Sequence, residues 1–364
     1  MNWRQELRSN ITRAGELKEY LTLDAEQEAR MNAILEQFPM TITRYYLSLI
    51  DWKDPNDPIR RMCIPSIEEN DMTGKFDTSG EADNTVLPGM QHKYHETVLI
   101  LSTHRCAMYC RHCFRKRLVG ISDDETAGNV EEMAAYIREH PEINNTLISG
   151  GDAFLNNNAV IRRYLELFSD IGHLDFIRFG TRTPVVLPAR IYDDPELLKI
   201  LETYSRKKQI CVVTQFNHPN ELTKEAKQAV DALSRAGVTI KNQTVLLKGV
   251  NDDAQTIGAL LKGLTRFGIS PYYIFQCRPV SGVGVHFQVP LAEGYRIVEG
   301  AKQFQSGPGK CVRYVMSHVT GKIEILGQLP NGDMLFKYHQ AKYDSDRGRI
   351  FTKALAPGQA WLED

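Results

Sequence analysis

Residues 97–117 of this 364-residue chain, TVLILSTHRCAMYCRHCFRKR, join a short apolar run to three closely spaced cysteines. The run over residues 97–103 is rich in β-branched side chains, a composition that favours a buried β-strand. Cys106, Cys110 and Cys113 follow it with the spacing C-x3-C-x2-C. The stretch therefore predicts a buried strand that ends in a loop of three thiols.

Further apolar runs follow this strand at intervals of roughly 30 residues, the length of a strand–helix–strand unit. They cover residues 145–152, 175–186, 209–217, 239–249 and 270–277. Amphipathic stretches lie between several of them, at residues 129–140, 159–171 and 224–237. Buried strands that alternate with helices indicate a parallel sheet. We therefore expect an α/β fold, with about six units forming a partial (β/α)6-type barrel.

Polar motifs stand at the ends of these predicted strands. They are the cysteine loop, SGGD at residues 149–152, TRTP at 181–184, QFNHP at 215–219 and QCR at 276–278. Reactive groups of (β/α) barrels gather at the carboxyl ends of the strands. We expect these motifs to face one cavity.

The flanking segments have a different pattern. A helical period covers residues 23–38, and residues 51–88 are rich in Pro, Asp and Gly, as expected for an extended arm. Residues 313–340 predict strands with a turn at Pro330-Asn331-Gly332. The sequence therefore predicts three segments: a helical N-terminal region with its arm (residues 1–90), the barrel (91–295), and a β-rich C-terminal extension that closes the site (296–364).

The composition is that of an ordinary globular protein, with 42% hydrophobic and 24% charged residues. No apolar run approaches the roughly 18 residues of a membrane helix, and the charged N-terminus does not resemble a signal peptide. The formal net charge of −1 offers no general attraction for nucleic acid. We expect a cytoplasmic protein that binds neither membrane nor nucleic acid.

The three clustered cysteines point to a metal centre. Three thiolates on one loop can hold three irons of a [4Fe–4S] cluster and leave the fourth iron open, and the spacing departs from the C-x2-C-x2-C run of bacterial ferredoxins. A zinc site completed by His112 or His104 is the alternative. The other cysteines, Cys63, Cys211, Cys277 and Cys311, are dispersed and predict ordinary buried side chains.

The C-x3-C-x2-C loop resembles that of radical S-adenosylmethionine (radical SAM) enzymes. The resemblance implies that the methionine moiety of S-adenosylmethionine chelates the open iron. One electron then cleaves the sulfonium to a 5′-deoxyadenosyl radical. It also implies contacts to S-adenosylmethionine from the residue before the third cysteine and from the Gly-Gly-acid element, namely His112, Ser149, Gly150, Gly151 and Asp152. A lone SGGD is by itself a common turn.

A narrower resemblance covers residues 54 to 288. The blocks DPIRRMCIPS, LPGMQHKYHETVLIL, MYCRHCFRKRLVG, LISGGDAFL, RTPVVLPARI, QFNHPNE, NQTVLLKGVND and PYYIFQCR are similar, in order, to those of the lysine 2,3-aminomutase family. That family adds pyridoxal phosphate to the cluster and S-adenosylmethionine, and moves an amino group between Cα and Cβ of a free amino acid, a small-molecule substrate. It implies a flavodoxin- or ferredoxin-like electron donor and a homo-oligomer.

The family resemblance also implies roles for individual residues. Arg115 matches the arginine that pairs with the substrate α-carboxylate, a task suited to a guanidinium fork. Arg182 and Gln243 fall in blocks that line the pyridoxal phosphate site. Gln215 and His218 lie in the segment that approaches S-adenosylmethionine. All of these side chains would also suit salt bridges and loop hydrogen bonds.

The lysine segment departs from the family pattern. The family lysine that carries pyridoxal phosphate follows a run of Pro and four Gly, and no such run is present. Lys322, in SHVTGKIEI, is the better match and the expected catalytic lysine. Lys310, in SGPGKC, is the alternative. Without either, the chain would be a radical SAM enzyme of the epimerase, dehydratase or oxidase type that works without pyridoxal phosphate on a carboxylate-bearing substrate.

The substrate positions depart as well. Where lysine-specific members have two aspartates for the ε-ammonium group, this chain has Arg278 and, at best, His318. A cation in that place would repel a substrate ammonium and attract an anion. We expect an amino acid with an acidic or neutral end, glutamate being one candidate. A protein-lysine aminomutase is a further alternative. A non-enzymatic metal-binding module is another, but it leaves the motifs at the strand ends unexplained.

Overall fold

Twelve strands form one sheet in the computed structural model, which describes residues 2–363. Their order in the sheet is their order along the chain. The strands are β1 Thr85–Leu87, β2 Met90–Tyr94, β3 Thr97–Thr103, β4 Asn145–Gly150, β5 Phe176–Gly180, β6 Gln209–Thr214, β7 Thr239–Leu246, β8 Ser270–Gln276, β9 Arg313–His318, β10 Gly321–Gln328, β11 Met334–Ala341 and β12 Ile350–Lys353.

The centre of the sheet is parallel and its margins are antiparallel. Every pair from β3 to β9 is parallel. The hairpin β1–β2 precedes β3, and β10, β11 and β12 return antiparallel beyond β9. The α/β prediction with a partial barrel and a β-rich extension is confirmed. Among the described residues, β1 and β12 are the two edges of the sheet, so the strands do not close on themselves.

Of the α-helices in residues 2–363, the first four precede the sheet and the others connect the parallel strands. In chain order, the helices are α1 Trp3–Arg8, α2 Ala25–Gln37, α3 Arg44–Leu47, α4 Pro58–Cys63, α5 Val130–Glu139, α6 Asn158–Ser169, α7 Thr183–Val186, α8 Ala189–Tyr192, α9 Pro195–Ser205, α10 Lys224–Arg235, α11 Ala254–Phe267, α12 Gly284–Phe287, α13 Leu291–Gln303 and α14 Gly307–Lys310. Over residues 2–363, no helix combines the length and the apolar character needed to cross a lipid bilayer.

The helices between strands form by amphipathic patterning and capping. In α10, Ala226, Ala229, Val230 and Leu233 are buried at spacings of three and four residues, which is one helical face. The Thr223 side chain caps its first turn by accepting a hydrogen bond from the backbone N–H of Ala226. Such faces pack on one side of the sheet and make the main core.

The other side of the parallel sheet is not filled. Side chains that alternate along each strand divide into two sets. Those facing the helices, such as Val98 and Ile148, are fully buried. Those facing away, such as Leu99, Leu147 and Arg178, remain partly exposed, and the strand register places these three side by side. The open face therefore lines a cavity.

Three local expectations differ from the structure. The predicted strand over residues 175–186 stops at Gly180, because Pro184 lacks the N–H of a central strand and fits the first turn of α7. The arm over residues 51–88 contains α4 and β1 as well as extended chain. Beyond residue 295, β9 extends the parallel pattern before the antiparallel strands begin. The boundaries 1–90, 91–295 and 296–364 remain predictions.

Candidate active site

The cysteine loop begins at the carboxyl end of β3, and hydrogen bonds to the N-terminal region hold it in place. The backbone N–H of Tyr109 donates to the carbonyl of Thr41 (3.0 Å), and that of Arg111 donates to the carbonyl of Met62 (2.9 Å). Because the loop has no helix or strand of its own, these bonds from distant segments replace local secondary structure.

A buried charge cluster adds a second anchor. Arg111 and Lys116 both pair with Glu69, the Lys116 ammonium at 2.5 Å. The Lys116 ammonium also donates to the carbonyl of Gly282 (3.0 Å), in the loop that follows β8. Removing one partner of a buried ion pair costs about 3–5 kcal/mol. The network therefore ties the cysteine loop to the arm and to the far side of the cavity.

Cys106, Cys110 and Cys113 are free thiols, each partly exposed, on this one loop. Burial raises the pKa of Cys113 to about 11. Arg182 donates a hydrogen bond from Nη1 to the Sγ of Cys110 at 2.9 Å. The guanidinium of Arg182 is thus in direct contact with one of the three thiols. Three unpaired thiols with a cation in contact are a donor set that fits a [4Fe–4S] cluster.

The SGGD element packs directly on the cysteine loop. The backbone N–H of Gly151 donates to the carbonyl of Thr103 (2.5 Å), and that of Asp152 donates to the carbonyl of Arg105 (2.7 Å). A Cβ atom on Gly151 would clash with the carbonyl oxygen of Arg105. Glycine is therefore required here for close approach to the loop, whatever its contact with a ligand.

Gly151→Ala is expected to destabilise the protein by roughly 1–3 kcal/mol, because the added methyl group overpacks two backbone segments. The loss should show as a lower melting temperature and a lower iron content after cluster reconstitution. Gly128→Ala is the matched control, since no atom lies within 4 Å of its added Cβ. An unchanged melting temperature and iron content in Gly151→Ala would contradict this account of the glycine.

The Asp152 carboxylate ties two strand ends together. It accepts hydrogen bonds from the Thr181 hydroxyl (2.5 Å) and from the backbone N–H groups of Arg182 (2.7 Å) and Phe154 (3.0 Å). Burial raises its pKa. The role predicted for Ser149, Gly150, Gly151 and Asp152 in binding S-adenosylmethionine stays a prediction. The structure places all four beside the cysteine loop.

His112 is fully enclosed next to the third cysteine. Its Nε2 lies 3.4 Å from Nε2 of Gln215 and 3.3 Å from Nδ2 of Asn217. Among the residues that the structure describes, its Nδ1 is buried without a hydrogen-bond partner. Burial lowers the pKa of His112 well below its usual range, so the ring is neutral. A neutral ring with an unused nitrogen suits the predicted contact with a bound nucleoside.

Arg182 lies beside the cysteine loop, and its predicted contact with pyridoxal phosphate stays a prediction. Besides Cys110, Arg182 contacts the carbonyl of Gln215 (3.0 Å), the hydroxyl of Tyr46 (3.2 Å) and the carboxylate of Glu221. The structure thus groups Arg182 with the cysteine loop, where a guanidinium can satisfy both Cys110 and Glu221, and not with Lys322.

His218 makes a local hydrogen bond, and its predicted contact with S-adenosylmethionine stays a prediction. Its Nδ1 accepts a hydrogen bond from the backbone N–H of Asn220 (3.2 Å), which caps the short 3-10 helix Pro219–Glu221. This local capping bond competes with any bond to a ligand. Asn217, one residue earlier, is buried and points its amide toward His112.

Lys322 lies on the far side of the cavity, in an aromatic enclosure. Its ammonium is 4.5 Å from the ring centre of Tyr273, 5.9 Å from that of Tyr94 and 6.0 Å from that of Phe275. It donates one hydrogen bond, to Oε1 of Gln340 (2.8 Å). Burial and neighbouring cations lower the pKa of Lys322 to about 7.

Lys310, the alternative lysine, is exposed at the end of α14. It shares no enclosure with the strand ends. A lysine that attacks a carbonyl must be partly neutral at physiological pH, which burial supplies and water does not. Of the two lysines, Lys322 has the surroundings that suit covalent attachment of pyridoxal phosphate.

The cavity around Lys322 is rich in positive charge. Arg178, Lys93 and Arg278 each depress the pKa of the Lys322 ammonium. Burial lowers the pKa of Lys93 itself to about 7. Gln243 lies on the same face of the sheet, in register with Tyr273. This excess of cations fits the phosphate of pyridoxal phosphate and the carboxylates of a substrate.

Arg115 and Arg278 meet at one aromatic ring. Their guanidinium carbons lie 4.5 and 4.1 Å from the ring centre of Phe114. The predicted carboxylate-binding arginine and the predicted specificity residue are thus neighbours. His318 stands at the β9–β10 turn, where its Nδ1 contacts the Thr320 hydroxyl at 2.8 Å and its carbonyl accepts from Lys93 (2.7 Å).

Two residues at this site were missed by sequence reasoning. Glu81 pairs with Arg115, and Lys93 contacts the carbonyls of Ser79 and His318. Glu81 lies in the irregular arm, where no periodic pattern marks a site. Lys93 precedes Tyr94 in β2, where Met90 and Gln91 are buried, and a lysine beside such residues was the available signal.

Known proteins resemble this chain over most of its length. The Radical SAM superfamily profile matches residues 100–260. A provisionally named L-lysine 2,3-aminomutase of Aquifex aeolicus is 41% identical, over 96% of this chain and 93% of the relative. The L-lysine 2,3-aminomutase of Clostridium subterminale is 40% identical, over 84% and 73%. The glutamate 2,3-aminomutase of Clostridioides difficile is 37% identical, over 84% and 72%.

Proposed function

We propose, because this chain belongs to the lysine 2,3-aminomutase family of radical SAM enzymes, that it is a pyridoxal-phosphate-dependent 2,3-aminomutase for an amino acid other than lysine. Family membership makes the protein an enzyme that uses a [4Fe–4S] cluster and S-adenosylmethionine. Cys106, Cys110 and Cys113 would hold the cluster. When bound, these groups supply the adenosyl radical, and pyridoxal phosphate supplies the π-system through which nitrogen migrates.

The surroundings of Lys322 support the use of pyridoxal phosphate. An amine whose pKa is about 7 is about half neutral at pH 7, whereas an ordinary lysine is almost fully protonated. Tyr273 and Phe275 shield the amine from water, and Gln340 orients it. The alternative without pyridoxal phosphate leaves this costly burial of an amine without a purpose.

Arg115 is the residue that would bind the α-carboxylate. It lies two residues after Cys113, and its Nη1 is 3.4 Å from the carbonyl of Gly150 at the end of β4. A carboxylate bound there would hold the substrate between the cysteine loop and Lys322. Orientation of this kind contributes much of the rate of intramolecular reactions.

The positive charge of Arg278 is the single observation that excludes lysine as the substrate in this proposal. Burial lowers its pKa to about 10, so its guanidinium stays charged at neutral pH. The nearby carboxylates already have other partners. Glu81 pairs with Arg115 and Arg117. Asp77 accepts hydrogen bonds from the backbone N–H groups of Ser79 and Ala82. Two like charges 4 Å apart repel by about 4 kcal/mol near a protein surface. An acidic far end would be attracted instead.

An amino-acid panel tests this proposal. Reconstituted enzyme with S-adenosylmethionine, pyridoxal phosphate and reductant should turn over glutamate at least roughly 100-fold faster than lysine, given a charge effect of several kcal/mol. Arg278→Asp should reverse that preference. Arg278→Lys, which keeps the charge, is the matched control and should still favour glutamate. Efficient turnover of lysine with none of glutamate would refute the proposed substrate class.

The remaining parts of the proposal follow from the family resemblance. A flavodoxin- or ferredoxin-like protein would deliver the electron, and identical subunits would assemble. From the composition, we also propose a cytoplasmic location. A protein-lysine aminomutase would need room for a polypeptide beside Arg278. Residues 71–84 occupy that position, with the Ser79 hydroxyl in contact with Arg278.

A further inference from the structure

Residues 71–84, here called the strap, connect the loop that follows β8 with the cationic side chains Lys93, Arg115 and Arg278. The backbone N–H of Gly282 donates to the carbonyl of Asp71 (2.8 Å), and that of Lys75 donates to the carbonyl of Pro279 (3.2 Å). Gly74 adopts φ of +110° against the Pro279 carbonyl, a conformation and a closeness that a side chain would prevent. The strap is therefore docked on the loop that carries Arg278.

Polar atoms in the turn of the strap accept hydrogen bonds from cationic side chains inside the cavity. Asp77 holds the turn by accepting from the backbone N–H groups of Ser79 (3.0 Å) and Ala82 (3.2 Å). The Ser79 hydroxyl contacts Arg278, and the Ser79 carbonyl accepts from Lys93 at 3.1 Å. Polar atoms of the strap thus stand where ligand oxygens would otherwise meet these cations.

Glu81 is the charged member of this turn and is only 4% exposed. Its Oε1 lies 3.0 Å from Nε and 2.9 Å from Nη2 of Arg115. Its Oε2 lies 2.8 Å from Nη2 of Arg117. Burial opposes ionisation, but the two arginines lower the pKa of Glu81 to about 2. One oxygen of the Glu81 carboxylate therefore accepts from two nitrogens of Arg115, on a guanidinium edge that an α-carboxylate could also use.

The two Glu81 oxygens are divided between the two arginines. Arg115 cannot present the same nitrogens to Glu81 and to a substrate carboxylate at once. Arg117 is held by Glu81 and also by Glu125 (2.6 Å), at the more exposed edge of the site. Loss of the Oε1 contacts would leave Glu81 attached to Arg117, so the exchange leaves no buried charge unpaired.

We propose that Glu81 is an internal competitor of the substrate, which holds Arg115 in the ligand-free enzyme and yields it to the substrate α-carboxylate. Arg117 retains Glu81 in the strap during the exchange. A ligand must then match the charge of Glu81 to displace it, so amides and esters of the amino acid are rejected. This inference rests on the proposed function only in assigning the α-carboxylate to Arg115.

Binding of L-glutamate to the unreduced holoenzyme, measured by anaerobic calorimetry, tests the proposal. Glu81→Gln should lower the Kd at least tenfold, because the competing anion is gone. Arg117→Gln should raise the Kd, because Glu81 then relies on Arg115 alone. Glu125→Gln, which removes a surface partner of Arg117, is the matched control and should change the Kd less than twofold.

A scaffold role for Glu81 gives different results. If Glu81 only held Arg115 in place, Glu81→Gln would lose that support and would not bind L-glutamate more tightly. A raised or unchanged Kd in that variant therefore overturns the proposal. Glu81→Ala is a second variant that should also lower the Kd for L-glutamate. Either variant tests the proposal, provided that it retains its iron. If only L-lysine binds, the proposed substrate class fails, and the same Kd comparison made with lysine still tests Glu81.

Discussion

Cys110→Ala is expected to leave the enzyme without its [4Fe–4S] cluster and to reduce S-adenosylmethionine cleavage to background. The open-iron cluster needs three thiolates, and this loop offers three. Cys110 is also the thiol that accepts the hydrogen bond from Arg182. Its loss therefore removes an iron ligand and leaves a buried guanidinium with one partner fewer. Both effects oppose cluster assembly.

Iron and sulfide content, visible absorbance and 5′-deoxyadenosine formation measure the effect after anaerobic reconstitution. Cys311→Ala is the matched control, because Cys311 is exposed and lies at the C-terminus of α14. It should assemble a full cluster and cleave S-adenosylmethionine at the normal rate. A Cys110→Ala protein with full iron content and normal 5′-deoxyadenosine formation would show that the ligands lie elsewhere.

Lys322→Ala is expected to abolish covalent retention of pyridoxal phosphate and to lower the rate of product formation by roughly a thousandfold, about 4 kcal/mol in activation free energy. The variant loses the amine that lies over the rings of Tyr94, Tyr273 and Phe275. Borohydride treatment followed by mass spectrometry should find the reduced adduct at residue 322 in the native enzyme and none in the variant.

The reaction of Lys322 with pyridoxal phosphate should depend on pH in a defined direction. Its pKa is lowered to about 7, so the neutral, nucleophilic amine predominates above pH 7 and is lost as the pH falls below it. The attachment rate should fall about tenfold for each pH unit below about 6. Lys310→Ala is the control and should retain both adduct and activity. An adduct at Lys310, or none in the native enzyme, would contradict the assignment.

The elements nearest the cysteines were the most predictable from sequence. The strand predicted over residues 97–103 has these same bounds in the structure, because a short β-branched run between polar residues has no competing local structure. The helix over residues 129–140 likewise forms as α5, capped by Asn129. The turn at Gly332 forms where the sequence predicts it, with φ of +92°.

Positions that depend on distant partners were less predictable. Arg182 contacts the cysteine loop and Lys322 contacts Gln340, whereas the resemblance implies pyridoxal phosphate contacts for both. The direction of Arg182 is set by Cys110 and Glu221, which are 72 and 39 residues away along the chain. Glu81 offered no sequence signal, because the arm reaches the cavity only through its docking on Pro279 and Gly282.

The sequence by itself determined the α/β architecture, the family and the loop that carries the three cysteines. These features depend on local patterns: the alternation of apolar runs with amphipathic helices, and thiols held at fixed spacing by the covalent chain. Only the tertiary structure decided the charges that Lys322 meets and the partner of Arg115. Burial and ion pairing act between residues brought together by folding, and chain order does not encode their distances.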